Sequence, residues 1–147
     1  MTKFKGRVLI AGQCKGPALV SKTGFNPLAT FNRSLLDDDG TCVCYDNNNK
    51  DLYGKSIKSE IICLPQAVGS TTAGFLLQSV AAKDLQPKAM LFARPCEPLI
   101  LAGIIVADVL ENKQIITIDG LGDDFLESVK EGDIVEVLSD GTVIVNN

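Results

Sequence analysis

Three short apolar runs, EIICLP, AMLFA and QIITID, separated by two stretches of helical length, constrain this chain more than any other feature. The first spans about residues 59–64 and is a continuous apolar strand of the kind buried on both faces. The segments between the runs carry a helical signal. Phe75, Leu76, Ser79, Val80 and Lys83 fall at helical spacing. LILAGIIVADVL follows Pro98, a residue suited to the first turn of a helix. That second helix is apolar nearly all round and should be buried, with Gly103 permitting close approach of a neighbour. Strand, helix, strand, helix, strand gives a βαβαβ arrangement whose strands should be largely parallel.

The flanking segments are β-rich. RVLIAG and PALVS read as strands, with Gly12 and Gly16 marking the turn between them. FNPLATFNRSLL, residues 25–36, shows no clean period and reads as a loop touching the core. TCVCY alternates as a half-buried strand, and DNNNKD after it is a turn. DDFLESVKEG predicts a short helix ending at Gly132, and DIVEVLSDGTVIV a terminal hairpin turning at Asp140-Gly141. The expected fold class is α/β: one domain over residues 1–147, with a mixed sheet curled toward a barrel and flanking helices.

Composition excludes several functions. The chain has 147 residues, a net charge of −4 and a pI near 4.8, so it has no basic surplus for nucleic-acid phosphates. The longest apolar stretch meets Asp108 and Glu111 too soon to span a bilayer, and the N-terminal apolar run is too short for a secretory signal; a cytoplasmic location is expected. There is no histidine, which removes Ser-His-Asp and Cys-His catalysis and zinc–histidine centres. The five cysteines, Cys14, Cys42, Cys44, Cys63 and Cys96, contain no CxxC pair and read as buried thiols. Cys42 and Cys44 share a face, but no third metal ligand lies near them in sequence.

The loop after the first buried strand, Gly69-Ser70-Thr71-Thr72, admits two readings. One hydroxyl can cap the following helix. Alternatively, the glycine lets the backbone approach a ligand while helix N-terminal amides attract an anion and a hydroxyl sits within reach. A Walker A lysine is missing, so a nucleotide is not indicated.

Taken in order, KGRVLIAG with GPALVS, GKSI at 54–57, the GSTTAGF loop, PKAMLFA and EPLILAGIIVADV resemble the small, swivel-type subunit of the aconitase X family over almost the whole chain. The resemblance implies a swivelling β/β/α domain with a barrel-like sheet. It also implies a hydro-lyase that removes water from a small hydroxy acid and is active only with a large aconitase-like subunit. That large subunit would hold an iron–sulfur cluster, with none bound by this chain. Ser70 would supply the base, and Gly69, Thr71 and Thr72 would shape the loop and contact substrate. Two substrates fit the family: cis-3-hydroxy-L-proline and (R)-5-phosphomevalonate. The second needs a phosphate site, for which Arg7, Lys15, Lys55 and Arg94 are candidates, with Lys55 and Arg94 assigned to substrate. Residues 25–36 depart from the tryptophan- and glycine-containing loop of many members. That divergence favours the hydroxyproline-type reaction. A non-catalytic anion-binding or scaffold module is the alternative of another class.

Overall fold

The computed structural model describes residues 1–69 and 72–147. Eight strands form one sheet: β1 Thr2–Lys5, β2 Arg7–Ile10, β3 Cys14–Val20, β4 Ile61–Leu64, β5 Ala89–Phe92, β6 Ile116–Asp119, β7 Ile134–Val137 and β8 Thr142–Asn146. Four helices accompany them: α1 Pro27–Asp37, α2 Ala73–Ala82, α3 Pro98–Glu111 and α4 Asp123–Ser128. The strand order is β1-β8-β7-β3-β4-β5-β6-β2. Strands β3 to β6 are mutually parallel, with β2 antiparallel to β6 and β7 antiparallel to β3.

The two outer strands of that order are neighbours in the chain, joined through Gly6 alone, so the sheet must curl back on itself. Gly6 is wedged at the closure. Its N–H donates to Gly141 O (3.1 Å), and a Cβ there would lie 2.6 Å from Asp119 O and from Ile118 Cγ2. The result is the α/β fold with a nearly closed, barrel-like sheet that the sequence pattern implies.

The expected parallel core is present. All four residues of each of β4, β5 and β6 are buried, because side chains leave both faces into separate apolar clusters. Ile62, Leu64, Met90 and Phe92 pack with α1, α2 and α3; Ile61, Cys63, Ala89 and Leu91 pack with Phe125 and the inner residues of β7 and β8. Helices α2 and α3 cross at two glycines, with a Cβ on Gly103 falling 2.4 Å from Gly74 Cα. No helix among the described residues is long and apolar enough to cross a membrane.

Four local expectations are corrected. Residues 25–36 are mostly helix. Asn26 caps α1 by accepting from Ala29 N–H (3.1 Å), Pro27 occupies the first turn, and the buried face is Pro27, Thr30, Phe31 and Ser34. Two of those four are polar, which hides the apolar period. TCVCY makes only a single antiparallel bridge, Val43 to Ser56, and adds no strand to the sheet. Its cysteines do point the same way, and both are fully buried. Gly16 lies inside β3 rather than at a turn, and α4 stops at Ser128, with Val129 already extended. The hairpin turns at Asp140-Gly141 as expected, with Gly141 at φ +92°.

Candidate functional site

The carboxyl ends of the parallel strands meet at one rim, and their loops are laced together. After β4, the backbone of 65–68 is held on both sides. Phe25 N–H donates to Gln66 O (2.8 Å) and Val68 N–H to Phe25 O (2.8 Å), while Arg94 N–H donates to Pro65 O (3.1 Å). After β6, Gly120 N–H reaches Arg94 O (3.3 Å). The loop leading to Ser70 is thus fixed by backbone bonds to two neighbouring segments, one of which is tied in turn to the loop after β6, as expected for a ligand-gathering edge of a parallel sheet.

Gly69 has φ +103°, a conformation that favours glycine, and a Cβ there would lie 2.9 Å from the Asn26 side-chain nitrogen. The glycine is therefore required twice, for its backbone angle and for the approach of the α1 cap. Ser70 and Thr71 lie outside the described residues. Thr72 is the residue preceding α2, and its side chain does not make the capping bond to that helix; its carbonyl accepts from Leu76 N–H (3.1 Å).

Three helix N-termini come together around this loop. Asn26 at the head of α1 touches Gly69, α2 begins at Ala73, and the first turn of α3 meets Gly74, where a Cβ would lie 2.6 Å from Leu99 O. The first turns of α1 and α2 contain no acidic residue, so no carboxylate offsets their partial positive charge, although Asn26 caps α1 with a neutral amide. The α3 terminus is already satisfied. Glu97 accepts from Leu99 N–H (3.0 Å) and Ile100 N–H (3.2 Å).

The candidate cations divide. Arg94 stands at the rim, about half exposed, with Asp123 Oδ1 3.8 Å from its Nε. Lys55 is not gathered with it: Lys55 pairs with Glu131 (2.9 Å), whose other carboxylate oxygen accepts from Val20 N–H (2.7 Å). Arg7 pairs with Asp119 through both Nε (3.0 Å) and Nη2 (2.7 Å). Lys15 sits at the opposite end of the sheet, in a concavity with Lys88 and Gln114.

Sequence reasoning missed Asn26, Glu97 and Asp119. The first two carried a signal, since each immediately precedes a proline that begins a helix. Asp119 ends a buried strand and shows no such cue. It is nearly inaccessible and accepts from Cys96 N–H (2.6 Å) as well as from Arg7, which ties the 94–97 loop to β2 and β6. Burial pushes its carboxyl upward, but the Arg7 hydrogen bonds, the Cys96 N–H and the Arg7 charge together hold it below the usual carboxylate value. Asp119→Ala should destabilise the fold by about 1–3 kcal/mol by orphaning a buried N–H. Because the folded value is depressed, the stabilising charge is present above the unfolded value near about pH 4 and is lost as pH falls through the folded one. Thermal melts at pH 7 and in acid should show the gap between wild type and variant narrowing below about pH 4. A gap that widens in acid would refute this account.

The cysteines do not fit an iron–sulfur cluster. Among the described residues no group of three or more His, Cys, Asp or Glu is placed to hold a metal ion. Burial pushes the Cys42 and Cys96 thiols up to about 12, and Cys63 upward as well, which opposes the thiolate a cluster needs.

The family model of the aconitase X swivel domain matches residues 3–145. The chain belongs to this family. A phosphomevalonate dehydratase small subunit of Methanocella arvoryzae is 30% identical over 140 residues, covering 95% of this chain and 94% of that one. The protein of the same name from Methanocaldococcus jannaschii is 30% identical over 122 residues, covering 80% and 87%. Among solved structures, the holo-form crystal structure of Thermococcus kodakaraensis aconitase X superimposes with a TM-score of 0.82 at 26% identity, covering 100% of both chains. The aconitase X swivel fold therefore extends over the curled sheet, the three helices on its outer face and the rim that carries Gly69.

Proposed function

We propose that this chain is the small subunit of a heteromeric aconitase-like dehydratase acting on a phosphorylated hydroxy acid of the (R)-5-phosphomevalonate type. The observation that carries the reading is the end-to-end relationship to small subunits of that name, joined to a rim where Gly69 and the heads of α1 and α2 converge. The hydroxyproline-type reaction, favoured on the sequence, rested on divergence of residues 25–36. Those residues form a capped helix whose head touches Gly69, so their divergence no longer separates the two substrates.

In this reading Ser70 takes the proton from the carbon next to the substrate carboxylate, the hydroxyl leaves the adjacent carbon, and an alkene and water result. A serine hydroxyl is a weak base at neutral pH, so in this reading its alkoxide draws on the positive ends of α1 and α2, whose first turns carry no acidic residue. Thr71, Thr72 and Gly69 shape the loop, and Arg94 lies at the same rim for a substrate oxygen. Lys55, engaged with Glu131, is withdrawn from that role. An iron–sulfur cluster, where the family reaction uses one, belongs to the large subunit, since the thiols here are buried and protonated. The surface supports pairing with such a subunit. Phe75 and Leu99, 70% and 43% exposed, flank an apolar hollow between α2 and α3 beside the loop.

The chain purified alone, with iron and sulfide supplied anaerobically, should dehydrate neither compound. Coexpressed with an aconitase-like large chain, it should co-elute as a heteromer and convert (R)-5-phosphomevalonate in preference to cis-3-hydroxy-L-proline. Turnover by the isolated chain would overturn the split site. Preference for hydroxyproline would overturn the substrate assignment, and clean separation of the chains at micromolar concentration would count against pairing.

A further inference from the structure

Three concavities adjoin the Gly69 loop, and they differ in charge. The hollow between α2 and α3 is lined by Phe75, Leu99 and Val106 and contains no ionisable group. The one beside Arg94 holds Lys22 but also Asp123 and Glu127, so two carboxylates line it with its two cations, and the Lys22 ammonium donates to Leu126 O. The third is a groove of about 380 Å³ between α1 and residues 45–53. Arg33 is its only charged lining residue, accompanied by Asn26, Asn32, Asn47, Tyr45 and Tyr53.

The groove is built rather than incidental. Tyr45 N–H donates to Thr30 O (3.4 Å), and Ser34 Oγ both donates to Val43 O (3.2 Å) and accepts from Val43 N–H (3.1 Å), so α1 and the facing segment are locked together. Phe31 and Phe25 pack beneath, their rings tilted at 58° with centroids 5.6 Å apart. Tyr45 then presents its ring to the Arg33 guanidinium, 4.8 Å away, which orients that cation. Asp37 Oδ2 lies 3.6 Å from Arg33 Nε, in the open, a pair of small energetic weight. Carboxamide and phenol groups on the same walls add neutral donors beside the guanidinium. One wall residue, Asn26, also packs directly on Gly69.

We propose that this groove is the subsite for the phosphate of the substrate, with Arg33 as its charge-bearing residue and Asn32 and Asn47 as flanking donors. The proposal rests on the dehydratase reading above and adds a residue outside the Gly69-Ser70-Thr71-Thr72 loop. An arginine fork held by an aromatic face suits a phosphate, since its charge is permanent and it donates through two parallel N–H groups.

The test has two arms. In the reconstituted complex, Arg33→Gln should raise KM for (R)-5-phosphomevalonate about ten- to a hundredfold, the scale of a lost charged hydrogen bond, with kcat changed no more than about twofold. Arg33→Lys should recover only part of the loss. Unchanged KM in Arg33→Gln, with an unchanged melting temperature, would overturn the subsite. In the second arm the full chain is titrated with inorganic phosphate and followed by nitrogen-resolved NMR. Saturable shifts of Arg33 Nε and of the Asn32 and Asn47 side-chain amides, abolished in Arg33→Gln, support the proposal. No saturable shift, or shifts centred on Lys22 and Arg94, overturns it. A wild-type complex inert toward phosphomevalonate would sink the substrate reading alone, and the phosphate titration would still judge the groove.

Discussion

Ser70→Ala in the reconstituted complex should lower turnover about a hundred- to ten-thousandfold, the usual cost of a lost general base, while leaving the two subunits associated. The expectation follows from the rim. Gly69 adopts a backbone angle that favours glycine, a Cβ there would meet the Asn26 amide, and the next described residue, Thr72, immediately precedes the helix. The heads of α1 and α2 meet at this rim, and no first-turn acid competes there for the positive potential. A hydroxyl that only capped α2 would behave differently. Its removal would cost about 1 kcal/mol of stability, with activity retained. Parallel measurement of melting temperature and turnover for Ser70→Ala, Thr71→Ala and Thr72→Ala separates the two roles. Near-normal turnover in Ser70→Ala, or greater sensitivity at Thr71 or Thr72, would remove Ser70 from the base position.

Gly103→Ala should be among the most destabilising single-methyl additions in the chain. A Cβ at 103 would fall 2.4 Å from both Gly74 Cα and Gly74 O, and the obstacle is backbone, which has no rotamer to yield. The α2–α3 pair must separate. Overpacking of this kind costs about 1–3 kcal/mol, against which alanine recovers less than about 1 kcal/mol of helix propensity. At this chain length the net loss corresponds to a fall in melting temperature of several degrees, on the order of 2–4 °C per kcal/mol. Because Gly74 lies in the first turn of α2, separation also displaces the loop that carries Ser70. Turnover should therefore drop further than the lost stability explains at temperatures well below the melt. A melting temperature equal to or above wild type would refute the close crossing. Gly74→Ala, which meets Leu99 O at 2.6 Å, should reproduce both effects from the other helix.

The parts of this protein legible in its sequence are those whose signal is local. Strands β4, β5 and β6 announce themselves because both faces bury apolar side chains, so no polar residue interrupts the run except Thr117 and the terminal Asp119. Helix α3 is legible from an apolar surface opened by Pro98, and the final hairpin from its Asp-Gly turn. The importance of Gly69 was also visible, as a glycine at the exit of a buried strand.

Other features depend on partners remote in sequence. Helix α1 escapes a periodicity argument because its buried face includes Thr30 and Ser34. Those positions are tolerable inside only because the backbone of 43–45 satisfies them, and nothing local to 27–37 reveals that segment. Arg7, a phosphate candidate on the sequence alone, is set on Asp119 because the curl of the sheet brings β2 against β6. Arg33 became a candidate only when α1 folded across Tyr45 and placed its cap on Gly69. By itself the sequence determined which segments are strands buried on both faces and which loop leaves them, because apolar burial is written into the period of the residues concerned. Closure through Gly6, the helical state of 27–37 and the pairing of each cation were decided by tertiary structure, because each depends on hydrogen bonds or charges supplied across the chain.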